Sequence, residues 1–179
     1  MNMTIEFVIR LVVAGAMGAL VGLDREYRAK EAGYRTHFLV SLGSALIMIV
    51  SQYGFTEVLG KEGIGRDPSR IAAQVVSGIG FIGAGTIILN KQIVRGLTTA
   101  AGIWATAGIG LSIGAGMYGL GVSATILTLI GLEVLSLVFK NVGIRSIAVE
   151  FSTHSRDTLN AISKKFSTKN YLIVSYQMD

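Results

Sequence analysis

GLTTAAGIWATAGIGLSIGAGMYGLGVSATILTLIGL, from Gly96 to Leu132, runs for 37 residues without one charged side chain, and Ile71 to Asn90 does the same for 20. A helix needs about 20 apolar residues to cross a hydrocarbon core of about 30 Å, so both stretches belong in a bilayer. The longer run exceeds one crossing. Gly114-Ala115-Gly116 is the flexible point within it, which predicts two helices, near Leu97 to Ile113 and Met117 to Phe139.

Working outward, three further spans are expected. The first covers about Ile5 to Leu23 and must include Arg10 to reach a spanning length. The second covers about His37 to Tyr53. The third covers about Ile71 to Leu89, after Asp67-Pro68-Ser69, where Asp67 can accept a bond from free helix-start N–H groups and Pro68 lacks only an N–H that the helix does not use. The expectation is an all-α transmembrane domain of five helices over residues 1–143.

Composition agrees with a bilayer as solvent. Hydrophobic residues make up 51% of the chain and charged residues 15%, too few to clothe a soluble domain of this length. The chain has no cysteine, which excludes disulfides, thiolate metal sites and cysteine nucleophiles. Met1 to Glu6 lack the basic n-region of a cleaved leader, so the first span is expected to stay.

Lysine and arginine set the expected orientation. Arg25, Arg28, Lys30, Arg35, Lys91, Arg95, Lys140, Arg145, Arg156, Lys164, Lys165 and Lys169 fall on one side; Lys61, Arg66 and Arg70 fall on the other. The positive-inside rule then places the N-terminus outside and the C-terminus in the cytoplasm. From 144 to 179 the pattern changes. Ile147 to Phe151 alternates like a strand, Leu159, Ile162 and Phe166 share a helical face, and Tyr171 to Tyr176 reads as a second strand. This short βαβ segment leaves strand edges unpaired, so it is expected either to pair with another copy, a dimer being preferred, or to be the first part of a longer C-terminal domain.

Gly78-Ile79-Gly80-Phe81-Ile82-Gly83 matches the dinucleotide-binding fingerprint in letters only, because it lies inside an uncharged span and position 100 is Ala100 rather than an acid. Gly78, Gly80, Gly83 and Gly85 read instead as a surface for close helix packing within or between chains, as do Gly18 with Gly22 and Gly110 with Gly114.

Arg10, Gln74 and Glu133 are the polar side chains expected within spans. A mid-membrane charge costs at least about 2.5 kcal/mol, so Arg10 and Glu133 must be paired, near an interface or facing a wet cavity. Glu6 lies one turn before Arg10, and Lys140 lies seven residues after Glu133. The densest candidate site is the cytoplasmic rim: Asp24, Arg25 and Glu26, then Arg35, Thr36 and His37, with Arg95, Thr98 and Thr99 at the start of the fourth span. Asp24 with Arg28 and Glu26 with Lys30 have the spacing of helix surface pairs. Free N–H groups, two hydroxyls and Arg95 at a helix start suit a phosphate, a carboxylate or a protein partner.

No catalytic constellation is visible. His37 and His154 stand apart from any carboxylate or second histidine at ligand spacing. A Mg2+ ion needs only carboxylates and water; Asp24 with Glu26, or Glu57, Glu62 and Asp67, supply that chemistry without a distinctive pattern, so no cofactor is assigned. Nothing points to nucleic acid, since the positive-inside residues account for the net charge of +5.

Gly22-Leu23-Asp24-Arg25-Glu26, Gly33-Tyr34-Arg35-Thr36-His37-Phe38-Leu39-Val40, the run from Asp67 to Gly85, and Val94-Arg95-Gly96-Leu97-Thr98-Thr99-Ala100-Ala101 together resemble the MgtC/SapB family of bacterial inner-membrane proteins, over roughly residues 5 to 140. The resemblance implies a multi-pass domain, often followed by a cytosolic ACT-like domain. It also implies a link to magnesium limitation and, in pathogens, to virulence, through regulation of membrane complexes such as the proton-translocating ATP synthase. The chain departs from the pattern twice: Asp24 stands where glutamate is usual, and the tail holds about half of an ACT-like fold. The expected function is a non-enzymatic membrane regulator. The rival is a transporter or channel for Mg2+ or another ion, which needs a polar path through residues such as Gln74, Ser77, Thr98, Thr99, Thr106 and Glu133.

Overall fold

The computed structural model describes residues 2–55, 67, 69–90 and 93–138. Five helices form, α1 (Met3–Tyr27), α2 (Tyr34–Tyr53), α3 (Ser69–Gly85), α4 (Leu97–Gly114) and α5 (Tyr118–Val138), with a hairpin of β1 (Ile88–Asn90) and β2 (Ile93–Arg95) between α3 and α4. Three helices, α1, α2 and α4, are long and apolar enough to cross a membrane. The 17 residues of α3 reach about 25 Å, and the apolar part of α5 runs over Tyr118–Val134. The βαβ segment expected from 144 to 179 lies outside the described residues, as do Lys140, His154, Glu57 and Glu62.

One expectation is corrected. The third span does not continue to Leu89, and the domain is mostly helical rather than all-α, because the helix stops at Gly85. Thr86 turns the chain by donating from both its amide and its Oγ1 to the Gly83 carbonyl, at 3.0 and 2.7 Å. Ile87, Ile88, Ile93 and Val94 are β-branched and favour extended backbone. The strands pair antiparallel, Ile88 with Arg95 and Leu89 with Val94. Gly96 then closes the base of the hairpin at φ 87°, where a Cβ would meet the Thr86 carbonyl. Only glycine fits that corner.

Helix ends follow local chemistry. Asn2 caps α1 by accepting from the Thr4 amide at 3.2 Å, and Asp67 accepts from the Ser69 amide at 2.9 Å to open α3. α1 and α4 close with the same six-residue turn: Lys30 donates to the Arg25 carbonyl at 3.0 Å, and Met117 to the Ser112 carbonyl at 2.9 Å. The left-handed position is Gly116 in the second turn but Ala29, φ 52°, in the first. There the Cβ imposes a cost of about 1–2 kcal/mol. The break in the long apolar run thus falls at Gly114–Gly116.

The centre of the bundle is α1, α2 and α4. On one flank α3 packs against α4 and α2; on the other α5 packs against α4 and α1. Ala14, Val21, Ala45, Ile109 and Ile113 form one buried cluster, and Val75, Ile79, Ile103, Ala107 and Ala32 another. Large apolar side chains such as Val12, Leu127 and Ile130 face outward, as expected of a surface solvated by lipid.

Glycine sets how closely the central helices approach. A Cβ on Gly18 would meet the His37 carbonyl, one on Gly22 the backbone of Tyr34, one on Gly110 the Ser41 carbonyl, and one on Gly114 the Ala45 carbonyl at 2.6 Å. These four positions, read from sequence as packing residues, lie against neighbouring backbone. The α3 glycines lie differently: Gly83 has only ordinary contact with Ala100 at 3.5 Å, and Gly78, Gly80 and Gly85 have nothing within 4 Å of an added Cβ. Within one chain those three do not join helices, because α3 turns Val75, Ile79 and Gly83 toward the bundle and the other glycines outward.

Candidate functional site

Polar side chains gather at the two ends of the bundle. At one end Arg10, 6% exposed, donates from Nη1 to the Gly114 carbonyl at 2.8 Å and pairs through Nη2 with Glu6. Its guanidinium also lies 5.7 Å from the Tyr53 ring centroid and 5.9 Å from that of Phe7. The i,i+4 pairing with Glu6 is the inexpensive arrangement that the sequence offers. The bond to Gly114 adds a carbonyl from the last turn of α4, which the helix itself leaves unsatisfied.

The opposite end holds the rim. Arg25, 3% exposed, is carried inward by the last turn of α1, and its Nη2 donates to Thr99 Oγ1 at 2.7 Å. Thr99 in turn donates to Glu31 Oε2 at 2.8 Å. This clasp joins α1, the α1–α2 turn and the first turn of α4. The backbone amide of Glu31 and the Thr99 hydroxyl hold the Glu31 carboxyl below the usual carboxylate range. Beside the clasp, Arg28 binds Asp24 at 3.2 Å and also pairs with Glu133, linking α1 to α5. Glu133 therefore meets Arg28 and stands at the opposite end of the bundle from Arg10.

The remaining rim residues spread around these links. Glu26 accepts from the Tyr34 amide at 3.1 Å and, with Leu23, Asp24, Tyr27 and Tyr34, lines an open groove. Exposed Arg35 lies 5.6 Å from the Tyr34 ring centroid and donates to its hydroxyl at 3.1 Å. Thr36 is half-buried, and Arg95 and Thr98 are exposed. Of the two threonines expected at the start of α4, only Thr99 turns inward, and its hydroxyl is engaged by Arg25 and Glu31 rather than aimed at solvent. Gln74 and Ser77 lie on the outer surface of α3 while Thr99 and Thr106 are on the buried side of α4, so the polar residues named for an ion path do not share one lining.

His37 is fully buried one turn into α2. Its Nδ1 lies 3.0 Å from the Gly33 carbonyl, and its Nε2 faces Gly102 of α4. Sequence reasoning missed Glu31 and Ser41. Glu31 had a signal: Arg25 needs an acid once buried, and Asp24 and Glu26 both have nearer partners. Ser41 had a signal in its i,i+4 relation to His37. Among the described residues no three of His, Asp and Glu converge as metal ligands. Asp24, Glu26 and Asp67 are engaged by Arg28, the Tyr34 amide and Ser69, which does not fit the six-oxygen shell of Mg2+.

Apolar helices with arginines locked at both ends define a multi-helix membrane domain. Comparison with known proteins is consistent with that class. The profile of the MgtC family matches residues 11–140, and the chain belongs to that family. It is 57% identical over 132 residues to YhiD of Escherichia coli K12, whose name reads "Putative magnesium transporter"; the match covers 74% of this chain and 61% of YhiD. It is 32% identical to SapB of Bacillus subtilis, covering 97% of this chain and 78% of SapB. It is 42% identical to MgtC of Salmonella typhimurium, covering 69% of this chain and 49% of that protein. The match thus spans just under two thirds of the length of YhiD and about half that of MgtC. No solved structure matches.

Proposed function

We propose that this chain is a non-enzymatic regulator of magnesium homeostasis in the bacterial inner membrane, which acts by contact with membrane partners through its charged rim. The rim is assigned to the cytoplasm, the side to which Arg25, Arg28, Lys30, Arg35 and Arg95 point by the positive-inside rule. Family membership and the magnesium named for YhiD support the process. The observation that carries the mode of action is the closure of α1, α2 and α4: where a conduit for a hydrated cation would run, Gly18, Gly110 and Gly114 bring main chain against main chain. Arg35 and Arg95 remain at the surface for a partner, of which the ATP synthase implied by the family resemblance is one candidate. The second reading, transport of Mg2+, is favoured by the name of YhiD.

The two readings separate in one pair of experiments. Proteoliposomes carrying the chain and a magnesium-sensitive dye are expected to show no protein-dependent influx. The Arg35→Ala and Arg95→Ala variants are expected to insert normally but fail to restore low-magnesium growth to a strain lacking the protein. Saturable influx establishes the transporter instead, and full growth with both variants removes the rim from the mechanism.

We further propose a homodimer formed along the outward face of α3. Gln74, Ser77, Gly78, Phe81 and Gly85 share that face, and Phe81 is 85% exposed. The outward surface of α5, by contrast, is built from Leu120, Ile126, Leu127, Ile130 and Val134, which lipid solvates well. A side-chain amide in hydrocarbon seeks a partner, and a second copy inserted the same way brings its own Gln74 to the same depth, each amide donating and accepting once. Because the chain has no cysteine, Gly78→Cys and Leu127→Cys give clean single-site probes. Oxidation in native membranes is expected to cross-link Gly78→Cys into dimers and leave Leu127→Cys monomeric. The reverse pattern, or a monomeric mass in detergent, refutes this face.

A further inference from the structure

Among the buried polar atoms without a hydrogen-bond partner are Nε of Arg25 on α1 and, one turn apart on α2, Nε2 of His37 and Oγ of Ser41. Their residues are 3%, 0% and 0% exposed. Buried polar groups are almost always bonded, so each of these orphans calls for a physical account. The geometry fixes the chemistry of the imidazole. A carbonyl accepts but cannot donate, so at 3.0 Å from the Gly33 oxygen it is Nδ1 that carries the hydrogen, and Nε2 presents a lone pair. On that side a Cβ added to Gly102 of α4 would lie 3.6 Å from Nε2, so the ring edge borders a position that carries no side chain.

We propose that His37 Nε2 is a proton-binding site within the membrane domain, whose occupancy opens the Arg25–Thr99–Glu31 clasp. The ligand is one proton delivered by water from the rim; it bonds to the Nε2 lone pair and converts the ring from neutral to cationic. The charged groups around the ring define the response. From α1 comes Arg25, close enough for its charge to act on the ring; from the α1–α2 turn comes Glu31, held on Thr99. α4 has no charged residue, and α3 has only Arg70, next to its first residue. A second cation beside Arg25 repels it in a region of low dielectric, and Arg25 relieves this by withdrawing from Thr99 toward the solvent at the rim. The turn carrying Glu31 and the first turn of α4 are then no longer tied to α1.

The test uses the full chain in lipid nanodiscs. With His154→Gln as background, His37 is the only histidine, and nitrogen NMR of the labelled ring reports its tautomer directly. In parallel, spin labels at Lys30→Cys and Leu97→Cys, both exposed, report the separation of the turn from α4. Expected is an Nδ1–H tautomer at pH 8 that becomes doubly protonated on acidification, with the label distance lengthening at the same midpoint. In His37→Gln, which cannot take the proton, the distance should stay constant until the lower pH at which Glu31 itself titrates. A ring that stays neutral down to acid unfolding overturns the proposal. A ring that titrates with no change in label distance overturns it equally, and both readings are available from the His37 chain even if the glutamine variant misfolds.

Discussion

Replacing Gly110 with valine is expected to cost the membrane domain more stability than any single surface change. A Cβ at this position meets the Ser41 carbonyl oxygen, and the Ser41 Cα and carbonyl carbon each lie 2.9 Å from it. Overpacking normally costs about 1–3 kcal/mol because side chains shift to accommodate it. Here the obstacle is main chain, and relief requires α2 and α4 to separate along a seam that also holds Gly114 against Ala45. A loss of about 3 kcal/mol or more is expected, a large share of the 5–15 kcal/mol typical of a folded domain. Gly18→Val should behave alike, because its Cβ meets the His37 carbonyl from α1. Gly78→Val, with open space around it, should change stability by less than about 1 kcal/mol. Equilibrium unfolding in mixed micelles distinguishes these cases, and similar stabilities for the Gly110 and Gly78 variants would refute the backbone contact.

The second large effect is expected at Arg10. Arg10→Met keeps much of the stem volume but removes the donor from the Gly114 carbonyl and the partner of Glu6. Losing one member of a buried charged pair costs about 3–5 kcal/mol. The Glu6 side chain is 36% exposed and recovers part of its hydration, so a value near the lower limit, about 3 kcal/mol, is expected. Adding Glu6→Gln to Arg10→Met should then cost less than the sum of the two single changes. Strict additivity in that double-mutant cycle would show that the pair is not coupled.

What could be read from the residues alone divides along physical lines. The helices were legible because hydrocarbon thickness sets a minimum charge-free length, and the break at Gly114–Gly116 was legible because the run exceeds one crossing. The β1–β2 hairpin was not: Ile87, Ile88 and Leu89 have the same hydropathy in a strand as in the last turn of a helix, and only the β-branching hinted at the difference. The pairing of Arg10 with Glu6 follows from helix spacing. The Arg25–Thr99–Glu31 clasp does not, because Thr99 lies 74 residues from Arg25 and 68 from Glu31, and only the packing of α4 against α1 brings them together. Glycines recur within α1, α3 and α4 alike, yet Gly18 and Gly110 meet backbone while Gly78 has nothing within 4 Å of an added Cβ. Spacing identifies a face, and the neighbours decide whether that face is used.

The bond from Arg10 to Gly114 joins groups 104 residues apart, which orders events during synthesis. The first helix leaves the ribosome and enters the lipid long before the fourth exists, so for that interval Glu6 alone must neutralise the guanidinium. The carbonyl of Gly114 arrives only when the fourth helix has been threaded and seated.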